Sequence, residues 1–232
     1  MTPVRNYSNW NSPPNESQEQ IEPYRKYYFI CEGANTETFY FKKLIDFRKQ
    51  LGIHPLIDVC LLEKTDEDRD ITYPRKLIEY ANQLKKSDEI SFDKERDKMI
   101  IVFDADIFEE KVSDYEDIVT MGEEHNILAV TNPAFELFLL LHFNDAYEKD
   151  ILPNEEEIIK NEKVGNQRFI YNLLLSHTKI NSKKNPEIGN LAKFVDIAIA
   201  QERKINQDIH NCKGHITCNI GMIIDSIRKD VV

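Results

Sequence analysis

Two aspartates separated by one residue, Asp104 and Asp106, follow directly on the apolar run "MIIVF" at residues 99–103. In extended chain, residues i and i+2 point to the same side, so the two carboxylates can converge on one point. Like charges this close repel unless a cation lies between them, and Mg²⁺ takes carboxylate and phosphate oxygens as ligands. The pair therefore indicates either metal-assisted phosphoryl transfer or, more simply, two solvated turn residues.

Further carboxylates occur where they could join this pair. Glu32 ends the apolar run "KYYFIC" and precedes Gly33. Glu136 is the only charged residue of the apolar stretch 132–143, and because an unpaired buried carboxylate is costly, it is expected to have a cation or a metal as its partner. Glu37 falls in the first turn of a predicted helix, where the helix dipole alone would also favour an acid.

The elements that would position these acids alternate in the order β-α-β-α-β-α-β. Strands are predicted at residues 26–33, 56–63, 98–104 and 126–131, and helices at 35–52, 73–87 and 113–125. Continuous apolar strands separated by helices predict an α/β fold with a mostly parallel four-stranded sheet, flanked by helices. In such sheets functional groups gather beyond the carboxyl ends of the strands, which is where Glu32, Asp104 and Asp106 fall.

Segments of different character flank this α/β region, which spans residues 25–143. Residues 1–24 are polar and rich in Pro, Asn and Ser, so we expect a flexible N-terminal tail. The apolar stretch after Thr131 predicts a buried helix with Asn132 as its N-cap. Residues 144–232 are predicted to form a helical C-terminal extension packed on the α/β domain, without strands and with helices at 166–177, 188–209 and 219–229.

The charge of the chain is acidic, with 41 Asp and Glu against 30 Lys and Arg. This balance disfavours simple electrostatic binding to nucleic acid or anionic membranes. The distribution is uneven, because residues 163–232 carry a net +5 and residues 1–162 a net −16. Either a basic face for a polyanion lies beside an acidic site, or surface charges segregate by chance. The basic residues considered for contact with a nucleic-acid backbone are Arg168, Lys183, Lys184 and Lys193.

Cysteine and histidine usage indicates a reduced environment. Four Cys and the absence of a signal-peptide pattern predict a cytoplasmic protein, and no apolar run approaches the ~18 residues of a membrane span. Four possible zinc ligands lie within nine residues, but their spacing fits no standard finger, so incidental thiols are the favoured interpretation: His210, Cys212, His215 and Cys218. The chain has no G-x-x-x-x-G-K-[ST] motif, which argues against a P-loop ATPase.

Three blocks of the chain, in order, resemble the signature blocks of the RloB-like family. They are "ICEGANTETFYF" (30–41), "VFDAD" (102–106) and "TNPAFELFLLLHF" (131–143), and the resemblance covers roughly residues 26–231. The family is grouped with the Toprim superfamily, which includes primases, topoisomerases, recombination proteins and OLD-type nucleases. The resemblance implies a Toprim-like fold for residues 25–143 and a site that depends on Mg²⁺ or Mn²⁺.

The same resemblance implies roles for individual acids. Asp104 and Asp106 would be metal ligands, Glu32 a general acid/base or a metal ligand, and Glu37 and Glu136 auxiliary acids, with Glu136 also a candidate metal ligand. The leading hypothesis is therefore a metal-dependent nuclease that hydrolyses phosphodiester bonds of DNA or RNA in bacterial anti-phage defence, either abortive infection or restriction-linked, with a restriction or defence ATPase as a candidate partner. Two alternatives stay open: a non-catalytic Toprim-fold adaptor or nucleic-acid-binding module, and a phosphotransferase or phosphatase acting on nucleotides.

Overall fold

The computed structural model describes residues 4–8, 22–64, 71, 73–110 and 114–230. Within these residues the strands are β1 (Arg5–Tyr7), β2 (Arg25–Cys31), β3 (Ile57–Glu63), β4 (Lys98–Asp104), β5 (Ile127–Asn132), β6 (Lys163–Val164), β7 (Gln167–Arg168) and β8 (Thr217–Cys218). The α-helices are α1 (Thr36–Asp46), α2 (Pro74–Leu84), α3 (Ile107–Glu110), α4 (Tyr115–Glu123), α5 (Glu136–Leu140), α6 (Glu155–Lys160), α7 (Phe169–Thr178), α8 (Val195–Glu202) and α9 (Ile220–Lys229).

The main sheet has the strand order β1-β3-β2-β4-β5-β8. Its four central strands are parallel, and the short strands β1 and β8 pair antiparallel at the two edges. The mostly parallel sheet expected from the alternating apolar runs is confirmed, together with its four long strands. Strands at the centre of such a sheet are covered on both faces, which explains why they read as continuous apolar runs.

Two apolar cores lie on opposite faces of the sheet, as alternate residues of β2 show. Phe29 points into the core that the sheet shares with α1, α5, α7, α8 and α9. Tyr28 and Ile30 point into the other core, which the sheet shares with α2 and α4. Because successive strand residues face opposite sides, one strand contributes to both cores. The C-terminal helices pack against the same face as α1, so the predicted extension and the α/β domain share one core.

Strand β1 lies in the segment that was expected to be a flexible tail. Residues 5–7 pair with β3 in the register Arg5 to Glu63 and Tyr7 to Leu61. The Tyr7 hydroxyl also donates to Oδ1 of Asp46 across 2.7 Å. Three residues are too few to show an alternating pattern, so no strand is predicted here from the sequence. Residues 1–3 and 9–21 of the predicted tail lie outside the described residues.

The expectation of no strand after residue 143 is wrong. Strand β8 extends the main sheet beside β5, and β6 and β7 form a two-stranded hairpin. Each has only two residues, and long-range pairing rather than local pattern creates it. The helix predicted at 188–209 is a 3₁₀ segment, Pro186–Phe194, followed by α8.

The apolar stretch after Thr131 forms a shorter helix than predicted. All five residues of α5 are buried, which confirms the expected burial. Asn132 is not its N-cap, because it is the last residue of β5 and its side-chain amide donates to the carbonyl oxygens of Cys212 and His215. Glu136 is the first residue of α5, so its predicted position in the first helical turn is confirmed.

Candidate active site

The predicted acids lie at the carboxyl edge of the parallel strands. The N–H of Glu32, just beyond β2, donates to the carbonyl oxygen of Val102 in β4 across 2.8 Å. The N–H of Ala105, just beyond β4, donates to the carbonyl oxygen of Thr131 in β5 across 2.8 Å. Ladder bonds of this kind extend past the last strand residues and hold Glu32 and Asp104 at neighbouring positions of the same edge.

Glu32 combines a hydrogen bond to β4 with a strongly shifted acidity. Its Oε2 accepts from the N–H of Asp104 across 3.3 Å. Burial raises the pKa of Glu32 to about 7, and the Glu37 and Asp106 carboxylates add to the rise, whereas the Asp104 N–H and the Lys64 ammonium oppose it. A carboxyl group with a pKa near neutrality can act both as a proton donor and as a proton acceptor.

Asp104 is the last residue of β4, and its carboxylate is held by the neighbouring strand. The hydroxyl of Thr131 donates to Oδ1 of Asp104 across 2.5 Å. Burial raises the pKa of Asp104 well above its usual value, and the negative charges of Glu37 and Glu32 raise it further. Asp104 is therefore repelled by the neighbouring glutamates. The convergence of Asp104 with Asp106 stays a prediction.

Glu37, near the start of α1, lies against the glycine that follows Glu32. A Cβ atom added to Gly33 would be 2.2 Å from Oε2 of Glu37, so the absence of a side chain at Gly33 creates the space for this carboxylate. Burial raises the pKa of Glu37 to about 7, and the charge of Glu136 adds to the rise. Glu37 thus belongs to the acid cluster, and its position at a helix start is not its only notable feature.

Glu136 has the partners that its burial requires. Its Oε1 accepts from the hydroxyl of Ser182 across 3.4 Å, and the Lys183 ammonium lowers its pKa. The pKa of Glu136 is still raised, by burial first and then by Asp106, which also raises the pKa of Glu32. Lys183 is thus the cation nearest in effect to Glu136, although the two form no ion pair among the described residues. Asp106 is the shared neighbour of the acids at both sides of the site.

Lys64 is the residue of this site that the sequence analysis missed. It follows β3, and its ammonium donates to the carbonyl oxygens of Glu32 and, across 2.7 Å, of Ile71. Its charge lowers the pKa of both Glu32 and Glu37. The rule that function gathers beyond strand ends would have found it, since β3 ends at the same edge of the sheet.

The structure places one of the four basic residues considered for nucleic-acid contact at the acid cluster. Lys183 lies close enough to lower the pKa of Glu37 and Glu136. The other three have local surroundings of their own. Arg168 donates to the Asn161 carbonyl oxygen, Lys184 is exposed in the loop before the 3₁₀ segment, and Lys193 lies 4.9 Å from the ring centroid of Phe47.

The histidines and cysteines near residue 215 do not form a zinc site in the described residues. Cys212 and Cys218 are buried and form no disulfide. His210 is exposed and lies 3.0 Å from Oε2 of Glu123, and the Nδ1 of His215 lies 3.1 Å from the carbonyl oxygen of Lys213. The interpretation of these residues as incidental is consistent with this arrangement.

The acid cluster fits Mg²⁺ by the chemistry of its donors. All five groups offer carboxylate oxygens, the hard ligands that Mg²⁺ prefers. Across the described ranges, no three His, Cys, Asp or Glu side chains converge as a group that could hold a metal ion. Mg²⁺ is usually held by only one or two carboxylates together with water and substrate phosphate, so a site for it does not require three converging protein ligands.

One comparison with known protein families identifies the family of the chain. The chain matches the family model described as RloB-like protein over residues 27–227, a stretch that contains the whole candidate site. The chain therefore belongs to the RloB-like family. No match was found among curated proteins or among solved structures. In the part of the chain that the structure describes, no helix has the length and apolar character to cross a membrane.

Proposed function

We propose that this chain is a metal-dependent nuclease that hydrolyses phosphodiester bonds of DNA or RNA in bacterial anti-phage defence, and that its α/β domain is Toprim-like. The observation that carries the proposal is the electrostatic coupling of Glu32, Glu37, Asp104 and Glu136 at one sheet edge, where burial and the charges of neighbouring acids raise the pKa of each. Mutual repulsion among buried acids is the electrostatic signature of a site designed for a cation.

The residues of the site divide into holders of the cation and a group for proton transfer. Asp104 and Asp106 would hold Mg²⁺ or Mn²⁺, with Glu136 on the side of α5. Lewis-acid polarisation of the phosphate is the chemistry that such an ion supplies when bound. Glu32, with a pKa of about 7, would accept a proton from the attacking water or return one to the leaving oxygen.

The basic side chains near the acids support a phosphate-bearing substrate. Lys183 is exposed on the loop after α7 and lies near Glu37 and Glu136, so it would face a phosphate held at the site. Lys64 is tied to the carbonyl oxygens of Glu32 and Ile71, which makes it a positioning residue for Glu32. Charge-assisted contacts to phosphate fix register without reading sequence, which suits both DNA and RNA.

A cleavage panel tests the proposal. Single- and double-stranded DNA and RNA are incubated with the full chain in Mg²⁺, in Mn²⁺ or in EDTA. We expect metal-dependent cleavage by the wild type and a loss of about 10²-fold or more in Glu32→Gln and in Asp104→Asn. Glu156→Gln is the matched control, because its carboxylate is exposed and remote in sequence from the site.

A second readout separates the nuclease from a non-catalytic adaptor. Binding of Mg²⁺ or Mn²⁺ raises the melting temperature of the folded state by mass action, and Asp104→Asn should reduce that rise. Undiminished cleavage by Asp104→Asn contradicts the assignment of the site. Absence of both cleavage and a metal-dependent shift favours the adaptor, and turnover of free nucleotides in place of oligonucleotides favours the phosphatase alternative.

A further inference from the structure

A cavity of about 560 Å³ lies at the opposite edge of the sheet from the acids. It lies between the first residues of β4 and β5, Lys98 and Ile127, and the C-terminal ends of α2 and α4. Its volume falls in the range of about 300–1,000 Å³ that is typical of small-molecule sites. The candidate active site is at the other end of β4, roughly 20 Å away at 3.3 Å per strand residue.

Four lysines line this cavity, although the chain as a whole has a net charge of −11. They are Lys85, Lys86, Lys94 and Lys98. Among the described residues none of the four forms an ion pair with a carboxylate. Clustered cations without carboxylate partners repel one another, and an anion would relieve that repulsion.

The acids of the same cavity are already engaged elsewhere. Both carboxylate oxygens of Asp97 accept backbone N–H groups, from Lys26 across 2.8 Å and from Asp93 across 2.9 Å. Glu123 lies 3.0 Å from the ring nitrogen of His210. Glu124 is exposed and lies 3.7 Å from the imidazole of its neighbour His125. The carboxylates of Asp97 and Glu123 therefore have partners other than the four lysines, and the lysine ammonium groups can contact a ligand.

Lys85 is held in a fixed position at the cavity. Its ammonium donates to the carbonyl oxygen of His125 across 3.0 Å and to Oδ1 of Asn126 across 2.8 Å. An ammonium has three donors, so one remains for a ligand. Burial and, to a smaller extent, the Lys86 ammonium lower the pKa of Lys85 to about 8, so the charge is poorly compensated by the protein itself.

The remaining lining offers a flat apolar surface and an amide. Phe92 is half-buried, with its ring 5.7 Å from that of Tyr28, and still contributes to the cavity wall. Asn82 also lines the cavity and accepts from Nδ2 of Asn126 through Oδ1, which leaves its own NH₂ group for a ligand. An aromatic face, an amide and several lysines together match a planar ring that carries a phosphate.

We infer that this cavity is a binding site for a mononucleotide, with the phosphate held by Lys85 and Lys98 and the base beside Phe92 and Asn82. The site is separate from the acid cluster and does not depend on the nuclease assignment. Strand β4 joins the two, since it begins at Lys98 and ends at Asp104.

Calorimetric titration of the metal-free full chain in EDTA tests this site. The four nucleoside 5′-monophosphates, adenosine and inorganic phosphate are the probes. We expect at least one monophosphate to bind with one-to-one stoichiometry. Adenosine and inorganic phosphate should each bind about tenfold more weakly or worse, the factor that one lost charge-assisted contact or stacking surface produces.

Variants locate the bound nucleotide. Lys98→Gln and Lys85→Met should each weaken binding about tenfold. Lys184→Gln, at an exposed lysine elsewhere, and Asp104→Asn, in the acid cluster, should leave it unchanged. Lys98 is exposed and its side chain makes no hydrogen bond in the described residues, so we expect Lys98→Gln to fold. It therefore tests the binding site even if Lys85→Met fails to fold. Absence of binding by all four monophosphates, or unchanged affinity in Lys98→Gln, overturns the inference, as does loss of binding in Asp104→Asn.

Discussion

The backbone N–H of Asp104 donates a hydrogen bond to Oε2 of Glu32 across 3.3 Å. These residues end neighbouring parallel strands and are 72 positions apart in the chain, so only the register of β2 against β4 brings them together. The bond orients Glu32, while burial and then the negative charges nearby raise the pKa of both acids. The site is thus ordered by the backbone and destabilised by its own charges.

Neutralising the Glu32 carboxylate should stabilise the metal-free protein. The folded-state pKa of Glu32, about 7, exceeds its unfolded value of about 4.3, so the folded state binds the proton more tightly. The stability that this proton contributes is present below about pH 4.3 and is lost as the pH rises through 7. Glu32→Gln removes the ionisation and keeps the shape of the side chain. At pH 8 in EDTA we expect its melting temperature to exceed that of the wild type by about 2–4 °C.

The control for this measurement is Glu156→Gln, which changes an exposed carboxylate and should leave the melting temperature within about 1 °C. At pH 4.5 the difference between Glu32→Gln and the wild type should shrink, because the wild-type acid is then protonated in the folded state. A Glu32→Gln protein that melts below the wild type at pH 8 would show that the Glu32 carboxylate is favourably compensated, contrary to the pKa shift.

Gly33→Ala should disturb the site through one contact. The added Cβ would lie 2.2 Å from Oε2 of Glu37, so that carboxylate must move. Overpacking of this kind costs about 1–3 kcal/mol of the free energy of unfolding. In a Glu37→Ala background the obstructing group is absent, and the cost of Gly33→Ala should fall by at least about 1 kcal/mol. Urea unfolding of the four proteins measures this coupling, and equal costs in both backgrounds would refute it.

The sequence predicted the parts of this molecule that depend on local pattern. The order of the long strands along the chain followed from the apolar runs. The proximity of Glu32 and Asp104 followed from the acids at the ends of these runs, together with the rule for parallel sheets. The partners of the acids did not follow. Lys64 could have been found from its position just after β3, but Thr131 and Ser182 are polar residues of ordinary appearance, and only tertiary contacts bring each of them to a carboxylate.

The two edge strands could not be predicted from the sequence, for a related reason. Strands β1 and β8 have three and two residues, and they exist because β3 and β5 offer unpaired backbone edges. A strand formed this way carries no periodic signal in its own sequence. The same holds for the four lysines of the cavity beside Phe92, which come from the residues just after α2, from the turn before β4 and from β4 itself.

Removing the Glu202 carboxylate should lower the stability of the fold, in contrast to neutralising Glu32 in the candidate site. It is fully buried, and its two oxygens accept from the N–H groups of Gly221 and Met222 at the start of α9, each across 2.7 Å. Removing a charged acceptor leaves these donors unsatisfied, so Glu202→Ala should cost about 2–4 kcal/mol in the free energy of unfolding. Glu187→Ala, at an exposed acid, should change it by less than about 0.5 kcal/mol. Urea denaturation distinguishes these outcomes, and similar values for both variants would contradict the role of Glu202.

His142 has a hydrogen-bonding arrangement that only the neutral imidazole satisfies. The carbonyl oxygen of Phe138, 2.9 Å from Nδ1, can only accept, so Nδ1 carries the proton. Nε2 is then an acceptor, and the hydroxyl of Tyr40 donates to it across 2.9 Å. A second proton on the ring would remove this acceptor in a fully apolar surrounding. Burial accordingly lowers the pKa of His142 to about 4.

The stability of the protein should therefore contain a term that decreases on acidification between about pH 6.5 and pH 4. Over this range the unfolded chain binds a proton at His142 and the folded protein does not, which costs up to ~3 kcal/mol at 1.36 kcal/mol per pKa unit. The buried carboxylates act in the opposite direction, so the term is measured as a difference. The free energy of unfolding of the wild type minus that of His142→Gln should fall as the pH is lowered through this window, and should be constant above pH 7.5. Parallel pH profiles for the two proteins would mean that His142 titrates normally in the folded state.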